Sequence, residues 1–488
     1  MASFGLTSTF GQPGPKPLTW KFDAELQQAY RLLINLQPEE ALSKVRTVTD
    51  RPSRFYRMYL ESLAQTLDIL ITENEQHFPG IEDDFEMRLD QLEDEPDSPD
   101  QLFLRAELNL QLGFCHLNLS QQWSAILAIR EAYQLVLECR KKYPHYIPIR
   151  KTGGVIQVMV GAVPDKYHWF MMLLGMRGTV EEGQRQLNEL RNAGISLSME
   201  ANILYFTVKG FINQQFKEAS EGMTRLLSKD TDNKLLMFMA VNMMMKNHQS
   251  EDALQLILKL DQKPGGLPLV YIDYLRAEIL LQKGLYPQAM TAYQRFMAAY
   301  RGSSFKKDAT YKIALAHHLS GKADQARIWW EKAKKTGKSI AEPDASAAFA
   351  LEEDRLPDIR LMKIRLLIDG GYFAEAKTLL NKLNPTDLTT EEDKAELTYR
   401  KARLAHLSGE TAAAKGFYLK TIELTADHPW YIAPSSALQL GYIFHEQGDR
   451  SNARRYFQMA LAYRRHAYKS SIDGKARSAL DGLDAVRN

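Results

Sequence analysis

Several stretches of this sequence begin like chemical motifs, and each fails at a position the chemistry requires. His445 and Glu446 open like H-E-x-x-H, where two histidines one turn apart hold zinc, but the residue four beyond His445 is Asp449. His317 and His318 are adjacent, so on a helix they diverge by roughly 100° and cannot share a ligand. Thr336 to Ser339 read TGKS, the end of a phosphate loop whose first glycine would have to be Lys332. The stretch GMRGTVEEG lacks the G-x-G-x-x-G spacing of a dinucleotide site and follows no strand. A G-x-S-x-G nucleophile elbow is missing. The pairs Glu181–Glu182 and Glu391–Glu392 point apart on a helix and fit solvated helix starts. Cys115 and Cys139 are the only thiols, too few for a cysteine zinc site, and both are expected buried and free. Residues 82–100 hold ten carboxylates around Arg88 without the order of a calcium loop. They could dock a basic partner or a divalent ion, though a solvated connector is the simpler reading. No metal, cofactor or catalytic residue is expected. An enzyme would need a carboxylate pair that folding alone brings together in a helical hollow.

The elements that would position any site are helical and repeated. Five segments carry a glycine followed five residues later by an alanine: Gly284 and Ala289, Gly321 and Ala326, Gly371 and Ala376, Gly409 and Ala414, Gly448 and Ala453. Successive glycines lie 37, 50, 38 and 39 residues apart. A glycine can end one helix in a left-handed conformation, and a small alanine lets the next helix approach it closely. Earlier the same shape recurs without glycine: Leu36 with Ala41, Ser120 with Ala125, Gln214 with Ala219, His248 with Ala253. No alternating β-branched stretches compete, so the chain reads as all-α, built from stacked antiparallel helical hairpins. The spacing sits at or above the roughly 34-residue period of tetratricopeptide units, which these segments resemble.

Composition limits the rest. The chain has 488 residues, 45% hydrophobic and 25% charged, which rules out disorder throughout. Its 62 Lys and Arg against 60 Asp and Glu argue against a dedicated nucleic-acid binder. No apolar run is long enough for a transmembrane helix. Residues 1–19 read as a flexible leader without a secretory pattern, which favours the cytoplasm and leaves the cell envelope open. Residues 20–150 are expected as an N-terminal helical region, 151–200 as an apolar helical insert, 201–350 as a repeat array, and 351–488 as C-terminal repeats with a capping helix. In the insert, Pro164–Lys166 should divide two short buried helices. A lipid-surface contact through Trp169, Phe170, Met171 and Met172 is the minor alternative. The methionines of 237–245 are expected in the core, and the basic surplus after Arg454 on a solvent-facing cap.

One segment carries a further resemblance. GGVIQVMVGAVPDKYHWFMMLLGMRGTVEEGQRQL, with Gly153, Gly154, Gly161, Pro164, Gly175, Gly178 and Gly183, is similar to the middle of the inclusion-body clearance family and its tetratricopeptide-domain 39 relatives. That resemblance implies a helical repeat adaptor without catalytic residues. The repeats themselves point to a scaffold that binds a protein or peptide in the concave groove lined by first helices. Tyr274, Arg276, Lys312, His317, Arg400, Arg403 and His406 precede the turn glycines where inner-face positions fall, and they are the candidate groove residues.

Overall fold

The computed structural model describes residues 19–48, 53–163, 168–339, 341–425 and 428–485. The leader, apart from Thr19, and the Pro164–Lys166 turn fall outside these residues. Among them there is no strand; the chain is all-α. It divides into two compact units, residues 1–70 with 75–205, and residues 71–74 with 206–488.

The first unit holds α1 (Ala24–Ile34), α2 (Pro38–Val45), α3 (Arg54–Thr72), α4 (Phe78–Glu93), α5 (Pro99–Asn118), α6 (Gln122–Lys142), α7 (Arg150–Gly161), α8 (His168–Leu173), α9 (Val180–Arg191) and α10 (Ser198–Thr207), the last residues of α3 and α10 belonging to the second. The second unit continues with α11 (Phe216–Leu227), α12 (Lys234–Lys246), α13 (Ser250–Asp261), α14 (Tyr271–Gln282), α15 (Tyr286–Ala299), α16 (Lys306–Leu319), α17 (Ala323–Lys334) and α18 (Glu342–Glu352). It ends with α19 (Ile359–Gly370), α20 (Phe373–Lys382), α21 (Glu391–Leu407), α22 (Thr411–Thr425), α23 (Ile432–Glu446), α24 (Arg450–Ala462) and α25 (Lys469–Ala485).

One turn recurs nine times. Gly284, Gly321, Gly371, Gly409 and Gly448 all have φ between 75° and 84°. Leu36, Ser120, Gln214 and His248 take the same left-handed conformation at φ 58–63° although each carries a side chain. At eight of the nine, the following N–H bonds to the carbonyl five residues back, as Leu285 does to Leu280 and Glu410 to Ala405. This closes the helix end and satisfies its free carbonyls. At Gln214 a π-helical turn, Val208–Ile212, widens the closure, and Gln215 reaches Lys209, six residues back. In every case the alanine five residues on is the fourth residue of the second helix and is fully buried.

The 50-residue interval between Gly321 and Gly371 contains an unpaired helix, α18. It packs on α16 and α17, and Asp344 at its start accepts the Phe305 and Asp308 backbone N–H groups at 2.6 and 2.9 Å, capping α16. Hairpin α19–α20 therefore does not continue the stack on α17. Instead α19 packs on α14 and α16, and the α19–α20 turn meets the α12–α13 turn. His248 Nδ1 lies 3.0 Å from the Asp369 carbonyl oxygen, and a Cβ on Gly371 would strike the His248 carbonyl.

In the first unit α7 and α9 cross with almost no side chain between them. A Cβ on Gly183 would lie 2.5 Å from the Gly154 carbonyl oxygen, which is why both are glycine. The sequence expectation of two buried helices is met by α7 alone. Trp169, Met172 and Leu173 of α8 are largely exposed, because the glycine-rich face that lets α7 sink against α9 has no counterpart in α8. The acidic stretch is mostly the helix α4, which buries Phe78, Ile81, Phe85, Arg88 and Leu92. Its neighbours use the acids: Glu93 with Arg105, Glu95 with Arg54, Asp97 with Lys142. In α12, Met237 and Met243 are buried and the other methionines half-buried.

The left-handed turns yield a sign-specific prediction. At exposed Ser120, Ser120→Gly should stabilise the protein by about 0.5–1 kcal/mol. The strain of a side chain in this conformation, about 1–2 kcal/mol, outweighs the extra entropy of unfolded glycine. Gly409→Ser, where a Cβ meets nothing within 4 Å, should destabilise by a similar amount. Urea midpoints moving in opposite directions with unchanged slope would establish this.

Candidate functional site

In the second unit the polar residues of successive first helices meet in two linked groups. The first spans α14–α16. Tyr274 donates to Asp308 at 2.6 Å, and Lys312 Nζ lies 2.8 Å from Asp308 and 2.6 Å from Glu278. The Tyr293 hydroxyl donates to Glu278, and Lys312 sits 5.5 Å from the Tyr274 ring centre. Burial raises the Asp308 pKa to about 6, against the opposing pull of Lys312. Two acids thus stand together as an enzyme would need, yet one lysine bridges them and tyrosine hydroxyls occupy both. That arrangement ties α14, α15 and α16 together and gives each carboxylate a lysine and a tyrosine donor.

The second group spans α19–α25. Arg400 pairs with Glu396 and donates to the Tyr431 hydroxyl at 2.7 Å, while Tyr431 donates to Glu396 Oε2 at 3.0 Å. Arg365 lies 5.9 Å from the ring centres of both Tyr431 and Tyr468 and donates to the Tyr468 hydroxyl at 3.2 Å. Arg403 donates to Gln439 at 2.8 Å, and His406 Nδ1 is 3.3 Å from the Tyr418 hydroxyl. Arg403 has no carboxylate within ion-pair distance among the described residues. Neither does Lys475 of α25, whose pKa is lowered first by burial and then by Lys246 and Arg403, with Glu342 opposing. Tyr311 joins the groups: it is half-buried, and it feels Tyr468 and Arg365 on one side and Asp308 and Lys312 on the other.

Of the seven sequence candidates, Tyr274 and Lys312 fall in the first group, and Arg400, Arg403 and His406 in the second. Tyr274 and Arg400 are buried, so their polar atoms serve neighbours in the fold. Arg276 stands apart, paired with Asp261 at 2.6 Å and Asp273 at 3.2 Å. His317 is half-buried and its Nδ1 has no hydrogen-bond partner, whereas His318 reaches the Pro357 carbonyl at 2.8 Å. Sequence reasoning did not choose Arg365 as a groove residue, placed His248 only as a turn, and read Lys475 only as part of the basic surplus after Arg454. Arg365 lies six residues before Gly371, within the same spacing window, and could have been found. Lys475 and His248 precede no turn glycine at that distance.

Other polar clusters are saturated. In the first unit Lys151 is fully buried between Glu107 at 2.7 Å and Glu200 at 2.5 Å, and it donates to the Tyr59 hydroxyl. Thr152 and Gln111 also donate to Glu107, and Tyr30 and Tyr59 to Glu200. Burial pushes the Lys151 pKa down, and the two glutamates more than restore it. An open pocket of about 350 Å³ beside α12 is lined by Lys234, whose ammonium is already held by the Pro264 and Gly265 carbonyls. Among the described residues no three His, Cys, Asp or Glu side chains converge as a metal cage. Cys115 and Cys139 are free and buried, and burial raises both thiols to about 12. No described helix is long and apolar enough to cross a membrane.

No family model matches the chain, and no curated protein matches it. Among solved structures, it is similar to a tetratricopeptide repeat protein from Parabacteroides merdae, at 16% identity over 58% of this chain and 99% of that one, with a TM-score of 0.25. The apo quorum sensor NprR from B. thuringiensis is 12% identical over 90% and 97% of the two chains, at 0.31. A monomeric mutant of IFIT1 with Gppp-AAAA is 11% identical over 91% and 96%, at 0.31. With superpositions this loose, the solenoid assignment rests on the chain's own helices and turns.

Two outcomes follow from these clusters. Burial first, then Arg403 and His248, pull the His406 pKa down to about 4. Below about pH 6.5 the unfolded chain gains a proton that the fold refuses, so stability falls as pH drops from 6.5 towards 4. His406→Gln should remove on the order of 1–2 kcal/mol of that loss, allowing for partial solvent screening, in denaturation compared at about pH 7 and pH 4.5. In the first unit Lys151→Met should destabilise by about 3–5 kcal/mol, because it strands two buried carboxylates; calorimetry or urea titration of the variant checks it.

Proposed function

We propose that this chain is a non-enzymatic protein-interaction scaffold, and that the inner face of its second unit grips an acidic segment of a partner protein. The observation that carries this reading is Lys475, whose pKa burial lowers against the pull of Glu342, set near Arg403. No carboxylate ion-pairs Arg403 among the described residues, and its charge is favoured, against burial, by Tyr418, Tyr399 and the more distant Asp369. Arg365, Arg400 and Lys312 each hold an ion-paired acid. For Lys475 the charge is costly in its partly dry environment, and an incoming carboxylate removes that cost while forming charge-assisted hydrogen bonds with it and with Arg403. His406 and Tyr418 beside Arg403 supply further hydrogen-bonding groups, and the exposed Lys246 completes the rim. Arg276, paired at a distance from this group, belongs to the wall and not to the grip. His317, with its open Nδ1, is a second polar contact on the α16 side.

Cytoplasmic residence is part of the same reading. So is kinship with the inclusion-body clearance and tetratricopeptide-domain 39 group. It is supported by the glycines at 153, 154 and 183, which let α7 and α9 cross at backbone distance.

The test is a pulldown from native extract with the wild-type chain and with the double variant Arg403→Glu/Lys475→Glu, followed by titration of the recovered partner's acidic segments. A stoichiometric partner that the double variant loses by tenfold or more, about 1.4 kcal/mol, supports the reading. Lys382→Glu, an exposed lysine at the end of α20, should bind as wild type. Absence of any stoichiometric partner, or binding indifferent to both charge reversals, would falsify it.

A further inference from the structure

A second surface, on the first unit, has chemistry of its own. The six-residue α8 leaves Trp169, Met172 and Leu173 at 61, 62 and 73% exposure, and α6 adds Trp123 and Leu127 at 73 and 66%. These form one patch. The Phe170 ring stands edge-on to both tryptophans, 6.5 Å from Trp123 and 5.8 Å from Trp169. Arg130 Nε donates to the Leu174 carbonyl at 3.1 Å, latching the end of α8 onto α6. With large side chains offering about 150–250 Å² each, the exposed apolar area is on the order of 600 Å², at the upper end of the largest patch on a typical monomer, which is often functional.

The charges bordering the patch choose the occupant. Segments 122–130 and 168–178 contain Arg130 and Arg177; just outside them the sequence adds Glu131, exposed one turn beyond Leu127, and the pair Asp165 and Lys166, so cations are in excess. Both arginines are exposed, and among the described residues neither has a carboxylate within ion-pair distance. A second copy would fit poorly. In a two-fold interface the same patch meets itself, so four arginines would border one apolar contact against only the two Glu131 carboxylates, leaving cations in excess. A bilayer with anionic headgroups supplies what is missing: phosphates for the arginines and an acyl boundary for the side chains beneath them. Two exposed tryptophans suit that boundary, since indole has an apolar body and an N–H, and neither Trp123 nor Trp169 gives its N–H to a described acceptor. A helix of six residues can lie in the interface and is far too short to cross it.

We infer that α8 and the start of α6 form a membrane-surface anchor. Trp123, Leu127, Trp169, Met172 and Leu173 enter the headgroup–acyl boundary of an anionic bilayer, and Arg130 and Arg177 meet lipid phosphates. This goes beyond the peptide grip, uses a different surface, and stands or falls separately from it.

The test is flotation of the full chain with vesicles of phosphatidylcholine alone and of phosphatidylcholine mixed with phosphatidylglycerol, together with tryptophan emission. Wild type should float with the mixed vesicles at least about tenfold better than with the neutral ones, and its emission should shift to the blue on binding. Met172→Gln/Leu173→Gln should lose flotation on both while keeping the wild-type melting curve, because both side chains are exposed. Arg177→Gln should lose most of the preference for phosphatidylglycerol. Arg403→Glu should float as wild type, which separates this surface from the peptide grip. The inference is overturned if wild type does not float, or floats equally on both vesicles. It is also overturned if Met172→Gln/Leu173→Gln leaves flotation intact and instead turns a dimer into a monomer on sizing with light scattering.

Discussion

Every hairpin of the repeating kind depends on a single backbone event, a residue with positive φ that closes one helix and reverses the chain. Once it forms, the second helix starts at a set distance and its fourth residue faces the helix before it. Only a small side chain fits there, and alanine occupies that position nine times. Glycine makes the turn cheaply in the later repeats. Leucine, serine, glutamine and histidine make it under strain earlier, where hydrogen bonds back to the preceding turn and burial of the second helix hold it in place. Turn and alanine form one device, and neither would make a hairpin alone.

Stacked hairpins would give a regular groove, but α18 interrupts the stack. It caps α16 through Asp344 and occupies the place where the next hairpin would dock, so α19 settles against α14 and α16. First helices far apart in sequence then share one interior, and most of their charged groups neutralise one another there. Tyr274, Asp308, Lys312 and Glu278 tie α14 to α16; Glu396, Arg400 and Tyr431 tie α21 to the start of α23. These ties align helices at the cost of open groove surface. Arg403 and Lys475, the cations there with no carboxylate at ion-pair distance among the described residues, stand out against that background.

The first unit solves its packing differently. Glycines let α7 and α9 touch along their backbones, and a lysine buried between two glutamates anchors α7 to its neighbours. The backbone contact leaves no room for α8 in the core, and its aromatic face remains outside beside that of α6.

The helical class, the positions of nine turns and the buried alanines were legible in the sequence because each rests on contacts within about forty residues. Leu36, Ser120, Gln214 and His248 could be placed although their glycines were gone, since the alanine five residues later still marked the fit. The apolar character of residues 168–173 was legible too, but not its exposure, which depends on what α7 and α9 leave uncovered. The candidate site was readable only in part. Spacing before the turn glycines found Arg400, Arg403 and His406, but spacing cannot tell a neutralised cation from a free one. Whether Lys312 is bridged by two acids, or Lys475 of the last helix comes near Arg403, depends on how α18 redirects the array. Local sequence determines where a helix ends and which residue faces its partner, because those are short-range steric facts. Which charges find partners across more than a hundred residues is decided only when the helices are packed, because electrostatic partnership depends on distance in space.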